Sequence, residues 1–309
     1  MSNPKYLYII TYSRDYEELC KLEMTSIFGE PNIDNYFLTS LDIPVSRSTF
    51  IKGRINVSYM ATSLIEMENQ MKHDKLAFND YKIQYVKYDK DVAYKERLAA
   101  LRQIGFSIIG NYAMQNPKTS FALTKLNNQW IFGQFEKDLL LWETRKNKPY
   151  NYTHAIEVKL ARSIVNIAID NDFSKTVADV CCGIGTVVIE GRDLGVNITG
   201  YELNKLVAWH ANANLLHFCF KNDIIRGDML DISKTYDVAI LDMPYGLFSL
   251  TTKDAQKALI QKTRQLSKRA IIIAMEDMSQ LIESTGFKII NTCTIYKSTA
   301  LSRIVSICE

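Results

Sequence analysis

The sequence predicts an α/β chain in two parts: an α+β first half, then a mostly parallel, doubly wound sheet with an antiparallel edge strand. Three observations carry this. After residue 150, short apolar runs alternate with helical stretches, the rhythm of a parallel sheet covered by helices. A polar, basic break, Arg145-Lys146-Asn147-Lys148-Pro149-Tyr150, divides the halves; it reads as a linker or hinge, and equally as a nucleic-acid contact. The last two strands are joined by about four residues, enough for a hairpin but short of the dozen or so that a parallel crossover needs.

The elements follow in order. A strand is expected over 6–12 and a helix over 15–28, with Leu19, Leu22, Ile27 and Phe28 in helical spacing. Ser13 or Asp15 would cap that helix, and Gly29 and Pro31 end it. Short strands are expected at 36–40 and 54–60, helices at 64–71 and 94–105, and strands at 106–112, 121–126 and 130–134. Asn127-Asn128 forms the last turn. Beyond the break come a helix over 156–170, a strand over 176–180, a helix over 186–194, a strand over 197–201 and a helix over 205–218. Strands at 223–226 and 238–241, a helix at 255–266, a strand at 270–274 and a helix at 278–284 lead to closing strands at 287–296 and 301–308.

Composition bounds the function. The 309 residues suit about two domains of ~100–200 residues each. With 47% hydrophobic and 23% charged residues, the chain can bury enough apolar surface to offset ordering entropy, which excludes disorder. No apolar run approaches the ~18–20 residues of a membrane span, and the N-terminus lacks the pattern of a signal peptide, so a cytoplasmic protein without a membrane partner is expected. Six cysteines include no Cys-x-x-Cys, and only four His accompany them, so reduced thiols and no metal site are expected. The net charge of +3 lies wholly in the first 150 residues, which carry 20 Lys and Arg against 17 Asp and Glu. That excess does not by itself indicate nucleic-acid binding, which depends on local clustering.

Four segments carry chemistry. In the first, from Asp179 through Cys181, Cys182, Gly183 and Gly185 to Thr186, a strand delivers a carboxylate into a glycine turn and then a helix. The glycines let backbone approach a ligand, and the helix start offers N–H groups. Val188 stands at the third glycine position of the dinucleotide fingerprint, so that motif is incomplete; the plain alternative is a tight turn. In the second, Glu202 closes the next strand ahead of Leu203, where doubly wound sheets place an acid for ribose hydroxyls; the alternative is a helix cap. In the third, Asp228 and Met229 follow the third strand, where an adenine amino group could be read, or where a turn simply forms.

The fourth segment decides the reading. An apolar strand ends in Asp242-Met243-Pro244-Tyr245-Gly246, at the edge where open sheets bind ligands. Asp242 and the Met243 carbonyl are acceptors, Pro244 stiffens the turn and Tyr245 offers a flat face. An exocyclic amino group on a nucleobase needs such a set. The alternative is a β-turn with a buried tyrosine.

At these residues the chain resembles class I S-adenosylmethionine-dependent methyltransferases that modify amino nitrogens of nucleic-acid bases. It is most similar to the tRNA guanosine-10 N2-methyltransferase family and its THUMP-containing relatives. Asp179 to Thr186 resembles that family's Asp-Pro-x-Cys-Gly-x-Gly-Thr, and Asp242 to Gly246 its Asp-Pro-Pro-Tyr-Gly. Lys159 to Arg162 with Val165-Asn166 looks like its helix before the first strand, and 298–305 like its closing strand. Asn116-Pro117 through Gly133 resembles the end of a THUMP domain, and 6–29 the small domain before it. Val180 and Met243 stand where that family has proline, and Ala155 follows His154 where a proline is usual.

The resemblance implies a Rossmann-like class I methyltransferase domain over 149–309, with a seven-stranded sheet. It implies a ferredoxin-like plus THUMP-like RNA-binding region over 1–148. S-adenosylmethionine would be held by Asp179, Cys181, Gly183, Gly185, Thr186, Glu202, Leu203, Asp228 and Met229. Asp242, Met243, Pro244 and Tyr245 would be catalytic, and Lys118, Arg145, Lys146 and Lys148 would touch RNA. The implied partner is RNA, tRNA foremost. A monomer or weak dimer is expected, with a small activating subunit left open by the family's eukaryotic members. The expected reaction is methylation of the N2 amine of a guanosine in tRNA. Its rivals are N6-adenine methylation of RNA or DNA, a non-catalytic RNA-binding protein that keeps the cofactor fold, and a nicotinamide oxidoreductase.

Overall fold

The computed structural model describes residues 5–30, 34–87, 92–152, 155–244, 252–298 and 301–309. The chain opens with strand β1 (Lys5–Ile10) and helix α1 (Glu17–Phe28). It divides into two compact units, Met1–Thr11 with Ile33–Leu139 and Tyr12–Asn32 with Leu140–Glu309. Among the described residues no helix is long and apolar enough to cross a membrane.

The first unit holds β1, β2 (Tyr36–Thr39), β3 (Ile51–Ala61), α2 (Leu64–His73), β4 (Tyr81–Tyr85), α3 (Tyr94–Gly105), β5 (Thr119–Leu126) and β6 (Gln129–Lys137). Its six strands run in the order β2-β1-β3-β6-β5-β4, and only the β4–β5 pair is parallel. Asn127 and Asn128 both adopt the left-handed conformation, as a two-residue hairpin turn requires. Ser63 caps α2 by accepting from Glu66 N, and the Glu66 carboxylate accepts from Thr62 in return.

The structure differs from the sequence reading at two places in this unit. β4 was not expected, because polar Lys82 and Gln84 alternate with Tyr81 and Ile83, which are buried. The strand expected over 106–112 is instead a chain of turns, joined to its neighbours by isolated bridges at Ile109 and Tyr112. Gly110 breaks it with φ +128°, a conformation closed to other residues.

The second unit holds α1, α4 (Val158–Ile169), β7 (Thr176–Asp179), α5 (Thr186–Asp193), β8 (Asn197–Glu202), α6 (Lys205–His217), β9 (Ile225–Arg226), β10 (Val238–Asp242), α7 (Lys253–Leu266), β11 (Arg269–Ala274), α8 (Ser279–Glu283), β12 (Ile289–Ser298) and β13 (Leu301–Cys308). The seven strands run in the order β12-β13-β11-β10-β7-β8-β9. The antiparallel member, β13, lies one place in from the edge rather than at it. Burial explains the position. Arg303 and 305–308 of β13 are all buried, so that strand needs two neighbours, whereas only Cys293 and Ile295 are buried over 289–296 of β12.

The units do not break where the sequence suggested, between 148 and 149. Helix α1 precedes the first unit in most of its sequence yet packs in the second. Glu23, fully buried in the middle of its apolar face, accepts from Ser163 Oγ at 2.7 Å and Asn166 Nδ2 at 2.5 Å on α4. Glu18 accepts from Thr294 N of β12 at 2.7 Å. Such a buried carboxylate is tolerable only with fixed donors. Residues 12–29 therefore do not belong to a small N-terminal domain.

Candidate active site

Three neighbouring strands end in the acids that the sequence singled out: β7 at Asp179, β8 at Glu202 and β10 at Asp242. β7 lies between the other two, so Asp179 stands at the centre of the carboxyl edge. The turn after it closes when Gly185 N donates to Cys182 O at 2.9 Å, and Cys182 N ties it to Tyr201 O at 2.8 Å. Gly183 and Gly185 have φ of +54° and +81°, where a side chain would be strained. The first N–H groups of α5 follow directly, with Gly185 as its cap.

Asp179 is 2% exposed, and its Oδ2 has no hydrogen-bond partner among the described residues. Burial, then the charges of Asp242 and Glu202, hold its carboxyl well above the ordinary carboxylate range. Thr186 Oγ1 is likewise buried without a partner among the described residues. Both line one cleft with Cys181, Gly183 and Asp242. Orphaned groups of this kind cost about 1–3 kcal/mol each until something satisfies them.

Glu202 joins two loops: Oε2 accepts from Gly183 N at 3.0 Å and Oε1 from Asn204 N at 2.7 Å. The cap of α6 is Asn204, whose Oδ1 accepts from Leu206 N and Val207 N. Reading Glu202 as that cap is thereby removed, and each of its oxygens keeps a lone pair for a ligand. Asp228 starts a short 3-10 turn and accepts from Leu230 N at 2.9 Å. Met229 is buried, its Sδ 3.6 Å from Cys181 Sγ. Burial and the surrounding acids push the Cys181 thiol far up, so it stays protonated. Leu203 is exposed.

Asp242 is half-buried on the same cleft. Met243 has its side chain in the core, and its N–H donates to Ile273 O at 2.9 Å. A proline there could not make that bond, so the substitution gains a sheet hydrogen bond and a packed side chain. Pro244 is half-buried. Tyr245, Gly246 and His154 lie outside the described residues.

The residues expected to touch RNA separate. Arg145 is 8% exposed: Nε donates to Glu190 Oε1 at 2.6 Å and Nη1 to Asp193 Oδ1 at 3.1 Å. Arg162 donates to the other oxygens of the same two acids at 2.7 and 2.8 Å. Arg145 is thus a buried strut of the second unit rather than a surface cation, because α5 brings two acids under it. Lys118 is largely exposed and paired with Asp80 at 2.8 Å. Lys146 is paired with Glu143 at 3.1 Å over the Trp142 ring. Lys148 is half-buried.

Two residues were not anticipated. Tyr152 reaches over the glycine turn, its hydroxyl 2.9 Å from where a Cβ on Gly183 would sit. Asn214, fully buried, donates to Tyr150 O and Ile184 O and accepts from Tyr150 N, fastening the segment before α4 to the turn. Nothing in a lone Asn on a helix marks that role.

No family model matches the chain. It is similar to two curated tRNA (guanine(10)-N2)-dimethyltransferases. That of Methanothermobacter thermautotrophicus is 22% identical over 281 residues, 82% of each chain. That of Pyrococcus abyssi is 25% identical over 174 residues, 52% of each chain. Among solved structures, TrmN from Thermus thermophilus aligns over 99% of both chains at 12% identity, with a TM-score of 0.49. The similarity to the first of these relatives spans 82% of the chain. The second unit is an α/β domain whose seven-stranded sheet has one antiparallel strand, the architecture that the motifs implied.

Proposed function

We propose that the chain is an S-adenosylmethionine-dependent methyltransferase acting on tRNA, and that its target is the exocyclic N2 amine of a guanosine. The observation that carries this is Asp242, set at a strand tip on the same cleft as the unsatisfied Asp179. The similarity to two tRNA (guanine(10)-N2)-dimethyltransferases supports the substrate.

The cleft fits the cofactor in charge and in donor demand. Asp179 and Thr186 would supply partners for polar groups, Glu202 has lone pairs for ribose hydroxyls, and Asp228 is assigned the adenine amine. Three acids so close repel one another, and a cationic ligand relieves that repulsion. When bound, S-adenosylmethionine supplies an electrophilic methyl on a sulfonium that departs as a neutral thioether. The guanine amine is a poor nucleophile because its lone pair is delocalised into the ring. Asp242 would accept a hydrogen bond from one of its N–H groups and the Met243 carbonyl from the other, which favours a pyramidal nitrogen, and the proton shed as the N–C bond forms and the S–C bond breaks would pass to Asp242. Holding both reactants in one cleft provides much of the remaining acceleration. The first unit is assigned the holding of RNA, a role consistent with the positive excess of the first half.

The cofactor assignment is tested by calorimetric titration with S-adenosylmethionine. Asp179→Ala and Glu202→Ala each remove a charge-assisted acceptor worth ~1.5–3 kcal/mol, so affinity should fall roughly 10- to 100-fold. Wild-type affinity in both variants would refute it.

A further inference from the structure

Beside the acidic cleft lies a groove of about 590 Å³ in the second unit that methyl transfer does not account for. Its size is that of sites which take small molecules, ~300–1,000 Å³. Tyr16, Lys146, Lys148, Tyr152 and Lys159 line it. Tyr152, Ala155 and Ile156 border both this groove and the cleft that holds Asp179 and Asp242, so the two adjoin.

The groove sets its cations against aromatic rings, Tyr16 on its wall and the buried Trp142 behind it. Lys146 Nζ lies 4.8 Å from the Trp142 ring centre; Lys159 Nζ lies 5.6 Å from that of Tyr16 and 5.7 Å from that of Trp142. Ring faces hold ammonium groups in place without neutralising them. Lys146 is partly neutralised by Glu143. Burial lowers the Lys148 ammonium below the ordinary lysine value, and an anion beside it would favour its charged form. Among the described residues of the groove wall the one carboxylate, Glu157, accepts from the Tyr16 hydroxyl at 2.6 Å. Cations interleaved with aromatic rings form the usual surface for single-stranded nucleic acid. Here that surface adjoins acceptors suited to a base amine.

We propose that this groove holds the RNA strand flanking the target nucleotide, with Lys148 and Lys159 on its phosphates and Tyr152 against a neighbouring base. This rests on the methyltransferase reading and extends it: the second unit grips the strand as well as the reacting base.

The test measures tRNA binding by the full chain across a salt series, with S-adenosylhomocysteine affinity measured alongside. Lys148→Gln combined with Lys159→Gln should weaken tRNA binding about tenfold and lower the salt slope by about 1.4, at ~0.7 per single-strand phosphate. Affinity for S-adenosylhomocysteine should stay within twofold, and Lys148→Arg with Lys159→Arg should restore the slope. An unchanged slope and unchanged tRNA affinity in the glutamine pair would overturn the proposal. A second readout needs no variant: tRNA carrying 4-thiouridine beside the target nucleotide should photocrosslink to the wild-type chain within 141–159. Crosslinks confined to other segments would equally overturn it. The two readings separate cleanly. Lysine-dependent binding without methyl transfer to tRNA keeps the groove and removes the methyltransferase; no tRNA binding by the wild type removes the groove.

Discussion

Asp242→Ala should abolish methyl transfer to tRNA while S-adenosylmethionine still binds. The carboxylate stands at the end of β10, on the cleft but one strand away from Glu202, with β7 between them. Its loss leaves Asp179 and Glu202 in place to hold the cofactor. An acceptor positioned on a reacting N–H contributes typically 10²–10⁴-fold, so turnover should drop by about that much, with cofactor affinity within a few-fold of wild type. Asp242→Asn keeps one acceptor oxygen and should lose less. Single-turnover transfer of labelled methyl, measured beside calorimetric cofactor binding, separates the two effects. An Asp242→Ala chain that methylates tRNA within a few-fold of wild type would show that the amine is activated elsewhere.

The largest stability effect is expected at Glu190. This fully buried acid bonds Arg145 through one oxygen and Arg162 through the other, and Asp193 supplies the second contact to each. Glu190→Ala leaves two guanidinium groups, 8% and 3% exposed, side by side with one acid between them. Removing one partner of a buried ion pair costs about 3–5 kcal/mol because a charge remains unpaired. The urea midpoint of the second unit should fall accordingly. Glu190→Gln, which keeps an acceptor and a donor, should fall less. A change below about 1 kcal/mol in Glu190→Ala would mean that Asp193 alone satisfies both arginines.

The regular elements of the second unit were legible because each strand is a short apolar run bounded by turn residues, as at 238–241 and 270–274. The acids were legible because each closes such a run: Asp179, Glu202 and Asp242 all stand at strand ends. What escaped were contacts between residues distant in sequence. Arg145 read as one of four surface cations because nothing local reveals that Glu190 lies under it. Glu23 on α1 was the one visible sign that the helix packs elsewhere, since an acid amid Leu19, Met24 and Ile27 must find partners. β4 was missed because Lys82 and Gln84 masked the alternation of Tyr81 and Ile83. The place of β13 depended on burial along its whole length, which local turn length does not encode.

The central claim is most directly tested by incubating the chain with labelled S-adenosylmethionine and tRNA that lacks this modification, digesting the product and identifying the labelled nucleoside. N2-methylated guanosine, lost in Asp242→Ala, is the expected result; label in N6-methyladenosine, or in no nucleoside at all, would contradict the account.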